Sequence, residues 1–104
     1  MLADTQEIIV IEQTWQLDLA EWLGRRGCSA QTVKMYTADI NHYARWSEET
    51  NRQAFEPGQI TSVDLRAYRA SQLEAKAAPA TFNRRRAALR LLCQFALGQG
   101  LVTY

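Results

Sequence analysis

The chain has few of the residues that mark disulfide-rich, metal-binding or membrane proteins. Among its 104 residues there are two cysteines, two prolines and one histidine. Cys28 and Cys93 provide neither a disulfide framework nor a zinc site. No apolar run approaches the roughly 20 residues that cross a bilayer, and the short stretch Ile8–Ile11 follows acidic residues, unlike the core of a secretory signal. We therefore expect a cytoplasmic protein with reduced thiols and no metal or other cofactor.

The remaining composition is that of an ordinary globular domain. Hydrophobic residues make up 47% of the chain and charged residues 22%, which excludes wholesale disorder. The length is sufficient for one domain with its own hydrophobic core and hardly more.

Acidic residues are missing from one end of the chain. Residues 1–50 carry four basic and eight acidic groups, a net charge of −4, whereas residues 51–104 carry eight basic and three acidic groups, a net charge of +5. From Ala75 onward there are five basic groups and no acid. This pattern suits an anionic partner or an ordinary solvated helix face, and charge alone does not decide between them.

Hydrophobic periodicity predicts helices throughout and no strand. The first helix is predicted to have Thr14 as its cap and to stop near Gly24 and Gly27. The second is predicted from about Ala30 to Trp46, with Ser29 as its N-cap. Their apolar positions are Trp15, Leu19, Trp22 and Leu23, then Val33, Tyr36, Ile40, Tyr43 and Ala44.

A polar loop is predicted from Ser47 to Gln59, followed by two more helices. Thr61 and Asp64 form a capping box at the start of the third helix. Pro79 suits the first turn of the fourth helix, which ends near Gly98. Their apolar contacts are expected from Leu65, Tyr68 and Leu73, then Phe82, Leu89, Leu92, Cys93 and Ala96. The sequence therefore predicts a compact all-α bundle.

The fourth helix presents a second, basic face. With Leu89 at the centre of the buried side, Asn83, Arg90 and Gln94 fall on one polar flank and Arg84 on the opposite flank. Arg85 and Arg86 fall nearer the core boundary. Thr81 and Asn83 occupy the first turn, where free amides attract phosphate. Arginine and asparagine are also the side chains that read guanine and adenine edges in a major groove.

The second helix offers a weaker candidate surface. Ser29, Thr32 and Lys34 lie at or near its N-terminus, and the hydroxyl of Tyr36 could meet a phosphate. For Tyr36, spacing alone favours a ring in the core with a solvated hydroxyl.

The order of several short motifs resembles a known domain. These motifs are Ala20–Gly27, Ser29–Val33, Tyr36, Asp39–Ile40, Tyr43 and Trp46, then Ile60–Thr61, Asp64–Tyr68, Pro79–Arg85, Ala87–Arg90 and Gly100–Val102. From about Trp15 to Val102 the chain resembles the N-terminal core-binding, SAM-like domain of tyrosine recombinases, the phage-integrase and Xer family.

That resemblance implies a bundle of four to five helices that forms half of a clamp around duplex DNA. It implies that the second and fourth helices face the DNA, through Ser29, Thr32, Lys34, Tyr36, Thr81, Asn83, Arg84, Arg85 and Arg90. The family usually has an apolar residue where Arg86 stands, so Arg86 is expected to meet DNA or a neighbouring domain instead of the core. Ala78 also departs from the family, because it does not supply the usual side-chain cap.

The resemblance further implies that catalysis belongs to a separate C-terminal domain with a tyrosine nucleophile. His42 and Arg45 have the spacing of that domain's His-x-x-Arg motif but fall inside the second helix, where a solvated face is the better interpretation. Tyr104 is interpreted as a terminal residue, not a nucleophile. We expect the fragment to lack enzymatic activity and its parent protein to be a tyrosine recombinase or integrase.

Together these observations predict a core-site DNA-binding domain over residues 14–102, after a tail of residues 1–13 and before a linker that starts at residues 103–104. The expected partners are double-stranded DNA and, in the full-length protein, other recombinase protomers; the isolated domain is expected to be monomeric. The alternative is a helical protein–protein interaction module that uses the same basic face. The sequence does not decide whether Ile8–Ile11 docks on a neighbouring protomer or belongs to an unanchored tail.

Overall fold

A computed structural model describes residues 15–100 of the chain. These residues form four α-helices: α1 over residues 15–25, α2 (Ala30–Asn51), α3 (Ser62–Glu74) and α4 (Pro79–Gly98). A 3₁₀ turn, Pro57–Gln59, precedes α3. No strand occurs in this part of the chain, and the predicted all-α bundle is confirmed. The tail, the Thr14 cap and the linker residues lie outside the described range.

Local signals fix most of the helix boundaries. Gly27 has φ 95°, which favours glycine, and it lies two residues after the end of α1. The Ser29 hydroxyl caps α2 by accepting from the amide of Thr32. At the start of α3, the Thr61 hydroxyl and the Asp64 carboxylate each accept a hydrogen bond from the other residue's backbone amide, at 3.1 and 3.2 Å. This is the predicted capping box.

The predicted end of α2 is wrong by five residues. The helix continues through the first part of the predicted loop and ends at Asn51, before Arg52 in the left-handed conformation. Tertiary contacts stabilise this extra turn, because Ser47 is buried and the Glu48 carboxylate accepts from the backbone amide of Phe55 at 3.0 Å. Polar composition alone therefore gave the wrong boundary here.

The core lies between α4 and the other helices, and α2 contacts α4 more extensively than α3 or the 3₁₀ turn does. It contains an aliphatic layer and a cluster of edge-to-face aromatic rings. The fully buried large side chains are Leu19, Leu23, Ile40, Tyr43, Tyr68, Leu92 and Phe95. One predicted core residue is wrong: Leu73 is 64% exposed, and Gln72 is buried instead. The other two predicted contacts of α3 are confirmed, because Tyr68 is buried and Leu65 packs against the core.

Two buried tyrosines at the centre of this cluster differ in their hydrogen bonds. The ring centroids of Tyr43 and Tyr68 are 5.0 Å apart. The Tyr68 hydroxyl lies 2.6 Å from Nδ1 of His42, whereas the Tyr43 hydroxyl has no partner among residues 15–100. Burial raises the pKa of both phenols, that of Tyr68 to about 12, so both stay neutral.

This difference predicts opposite effects of removing the two hydroxyl groups. Tyr43→Phe should leave the free energy of unfolding unchanged or raise it by about 1 kcal/mol, because it removes an unsatisfied buried polar group. Tyr68→Phe should lower it by about 1 kcal/mol, since it breaks the contact with His42. Urea unfolding of both variants checks this. A larger loss in Tyr43→Phe than in Tyr68→Phe contradicts it.

Candidate nucleic-acid interface

A polar stripe runs along the exposed side of α4. Asn83, Ala87, Arg90 and Gln94 are all exposed, and their spacing of three and four residues places them on one helix face. The opposite face carries the buried residues of the helix: Ala88, Leu89, Leu92, Phe95 and Ala96. The sequence-predicted residues Asn83 and Arg90 are therefore on the same solvent-facing side.

Arg84 lies on the flank of this stripe that meets α2, where it forms an ion pair. Its Nε and Nη2 atoms donate to the two carboxylate oxygens of Asp39 at 2.8 and 2.9 Å. The Asp39 side chain is 5% exposed and that of Arg84 41% exposed. The hydrogen bond and the charge of Asp39 raise the pKa of Arg84. The bidentate geometry fixes the guanidinium plane and leaves its other N–H groups available to a ligand.

The ion pair changes the expected result of removing Arg84. Arg84→Ala should lower the urea midpoint of unfolding, because it leaves the buried Asp39 carboxylate without its cation. Arg90→Ala should leave the midpoint unchanged, since Arg90 is exposed and has no carboxylate within 4 Å in residues 15–100. Equal midpoints for the two variants argue against a structural role for the pair.

The two arginines that follow Arg84 have different surroundings. Arg85 is half-buried, and its Nη1 donates to Oε1 of Gln72 at 3.1 Å, which links α4 to α3. Its Nε is buried with no partner in the described range. Arg86 is exposed, outside the core. The side chain of Arg86 is thus more accessible to a ligand than that of Arg85. The sequence-based expectation placed Arg85 on the DNA and Arg86 on either DNA or a neighbouring domain.

The N-terminus of α4 has no side-chain cap. Ala78 occupies the N-cap position without a side-chain hydrogen bond, and Pro79, the first residue, has no amide hydrogen. Thr81 is the third residue and is half-buried. The amides of Ala80 and Thr81 therefore have no intrahelical acceptor, as is usual in a first turn.

The candidate residues at the start of α2 do not form a single exposed surface, in contrast to those of α4. Ser29 and Thr32 bond each other through their hydroxyls at 2.9 Å as part of the helix cap. Tyr36 is half-buried and packs against the core. Lys34 is exposed, but it precedes Asp39 by five residues, about 140° around the helix. Because Asp39 faces α4, the structure does not bring Lys34 to the basic side of α4.

Arg26 contacts the exposed side of α4, although it was not among the site residues predicted from the sequence. Its Nη2 donates to Oε1 of Gln94 at 3.3 Å, and its guanidinium stacks 4.6 Å from the ring centroid of Trp22. The signal in the sequence was the Arg25–Arg26 pair just before the second helix. The tertiary contact with Gln94, 68 residues further along, was not visible there.

His42, which has the spacing of the catalytic His-x-x-Arg motif, makes a contact between two helices of the bundle. His42 lies within α2 and contacts the hydroxyl of Tyr68 in α3. Partial burial, together with the charges of Arg85 and Arg45, lowers the pKa of His42. Residues 15–100 hold no cluster of three side chains that could ligate a metal. No helix in this range is long and apolar enough to span a membrane.

The family comparison agrees with this architecture. Residues 14–100 match the family described as "Phage integrase, N-terminal SAM-like domain". The match covers more than half of the chain, and the protein belongs to this family. No curated protein and no solved structure matches the chain significantly.

Proposed function

We propose that this domain binds the core site of duplex DNA for a tyrosine recombinase or integrase. The observation that supports this most directly is the group of four exposed arginines around the polar stripe of α4, which we call the basic face: Arg26, Arg84, Arg86 and Arg90. The family membership supports the same function.

The chemistry of the basic face suits nucleic acid better than a small anion. Its arginines come from α4 and from the segment before α2, so they form an extended surface. Guanidinium groups pair with phosphate oxygens, and phosphate contacts position a protein on a duplex. Asn83 and Gln94 lie between these arginines and carry the amides that pair with adenine edges.

In this proposal Asp39 is a positioning residue. It holds the guanidinium of Arg84 by two hydrogen bonds, which reduces the side-chain entropy lost when Arg84 contacts a phosphate. The proposed domain catalyses no strand cleavage by itself, and its other partners are further protomers of the same recombinase.

Fluorescence anisotropy with a labelled duplex of about 30 base pairs tests this function. Arg86→Ala/Arg90→Ala should weaken binding by about tenfold or more, since each charged contact contributes on the order of 1 kcal/mol. Arg45→Ala is the matched control, because Arg45 is exposed on the far side of α2 and should bind like the unchanged protein.

The alternative function, docking of an acidic protein on the same face, predicts a different result. The protein would then show no duplex binding at low salt, and Arg86→Ala/Arg90→Ala would behave like Arg45→Ala. Either observation counts against the DNA-binding proposal.

A further inference from the structure

A groove with a volume of about 400 Å³ runs between α3 and α4. Gln72, near the end of α3, bonds Arg85 near the start of α4, while Leu65 near the start of α3 lines the same cavities as Cys93 near the end of α4. The two helices are therefore antiparallel. α3 contacts α2 more extensively than it contacts α4, which leaves the space between α3 and α4 open.

The floor of this groove is apolar. A second cavity of about 190 Å³ continues it along α4 as far as Leu97, which is 50% exposed. Phosphate contacts use basic side chains and do not account for such a floor. A continuous apolar surface of this kind is typical of a binding groove. The residues of the floor are Leu65, Phe82, Leu89 and Cys93.

The rim of the groove is basic. All four arginines that line the larger cavity are exposed, and within residues 15–100 no carboxylate lies within 4 Å of any of them. Two are three residues apart on α3 and two are four residues apart on α4, so like charges are neighbours on each wall. An acidic occupant relieves this repulsion and complements the rim. These arginines are Arg66, Arg69, Arg86 and Arg90.

The length of the groove fits a helix better than a small molecule or an extended strand. Phe82 and Leu97 are fifteen residues apart on α4, which is about 22 Å along the helix axis, so a small anion would fill only one end. A strand would leave backbone groups unpaired on the apolar floor, because residues 15–100 offer no strand edge. A helix satisfies its own backbone groups and presents its apolar side chains as one stripe.

We infer that the α3–α4 groove binds an acidic amphipathic helix of another protein. The apolar stripe of that helix contacts the floor, and its carboxylates pair with the arginines of the two walls. Arg86 and Arg90 border both this groove and the polar stripe of α4. The inference nevertheless does not depend on the DNA-binding proposal, because the apolar floor, Arg66 and Arg69 lie outside the basic face.

Fluorescence anisotropy of a labelled synthetic peptide with the full chain tests this inference. The probe is a helical peptide of about 15 residues, with leucines at every third or fourth position and glutamates on both sides of that stripe. The unchanged protein should bind it saturably. A scrambled peptide of the same composition should bind about tenfold more weakly, because it has the same charge but no apolar stripe.

Paired charge reversals locate the site of peptide binding. Arg66→Glu/Arg69→Glu should weaken binding by about tenfold or more, because it places acids opposite acids. Arg25→Glu/Arg45→Glu is the control: it makes the same change in net charge at exposed positions of α1 and α2, and it should bind the peptide like the unchanged protein. Circular dichroism confirms that each variant is folded.

Several results overturn the inference. These are a lack of saturable binding, equal affinity for the two peptides, and an equal loss of affinity in the two double variants. If Arg66→Glu/Arg69→Glu weakens only duplex binding, the occupant is DNA. If the protein alone self-associates in sedimentation equilibrium and Arg66→Glu/Arg69→Glu prevents this, the occupant is a second copy of the chain.

Discussion

Replacing Leu92 with alanine should lower the free energy of unfolding by about 2–5 kcal/mol. Leu92 is fully buried in the middle of α4 and belongs to the cluster that joins this helix to the rest of the bundle. The substitution loses the transfer free energy of the removed methyl groups and leaves a cavity that the surrounding helices only partly fill. Urea unfolding measures the loss.

Leu73→Ala is the matched control for Leu92→Ala. Leu73 is 64% exposed on α3, so its truncation should change the free energy of unfolding by no more than about 0.5 kcal/mol. A loss at Leu73 comparable to that at Leu92 would show that α3 packs as the sequence spacing predicted and not as the structure has it.

Raising monovalent salt from 50 to 200 mM should weaken duplex binding by about 100-fold. If Arg26, Arg84, Arg86 and Arg90 each neutralise one phosphate, log K falls with log salt with a slope of about −3.6. The slope reports released counterions, so it depends on the number of phosphate contacts and not on base recognition. Anisotropy titrations at several salt concentrations measure it.

Single substitutions show which arginines contribute to the salt dependence of duplex binding. Arg90→Ala should make the slope shallower by about 0.9, whereas Arg45→Ala should leave it unchanged. A slope near zero for the unchanged protein contradicts phosphate binding by the basic face, whatever the affinity at low salt.

Local sequence signals were sufficient for most of the fold. The cap at Ser29, the Thr61–Asp64 capping box and Pro79 at the start of α4 act within a few residues of one another. Such signals depend on backbone amides in the first helical turn and need no tertiary information. They predicted where three helices begin.

Tertiary contacts decided the features that local signals missed. α2 extends to Asn51 because Ser47 is buried and Glu48 bonds Phe55. In α3, Gln72 takes the buried position expected for Leu73, and its side-chain oxygen accepts from Arg85. A polar residue with a long-range partner can thus replace an apolar one at a core boundary.

The candidate site was predictable as a helix face but not as a set of contacts. Helical spacing placed Asn83 and Arg90 on the solvent side of the fourth helix, where the structure has them. It could not show that Arg84 pairs with Asp39, 45 residues earlier. Nor could it show Arg26 next to Gln94 or the groove between α3 and α4.

The most direct test of the central claim is a titration of the ¹⁵N-labelled protein with a duplex of about 30 base pairs, followed by amide chemical shifts. Binding through the basic face predicts that the largest changes in amide chemical shift occur at Arg26, Asn83, Ala87, Arg90 and Gln94. The chemical shifts of the exposed amides around Arg45 should not change. Shifts concentrated around Arg45, or no shifts at low salt, would contradict the proposal that this domain holds DNA along α4.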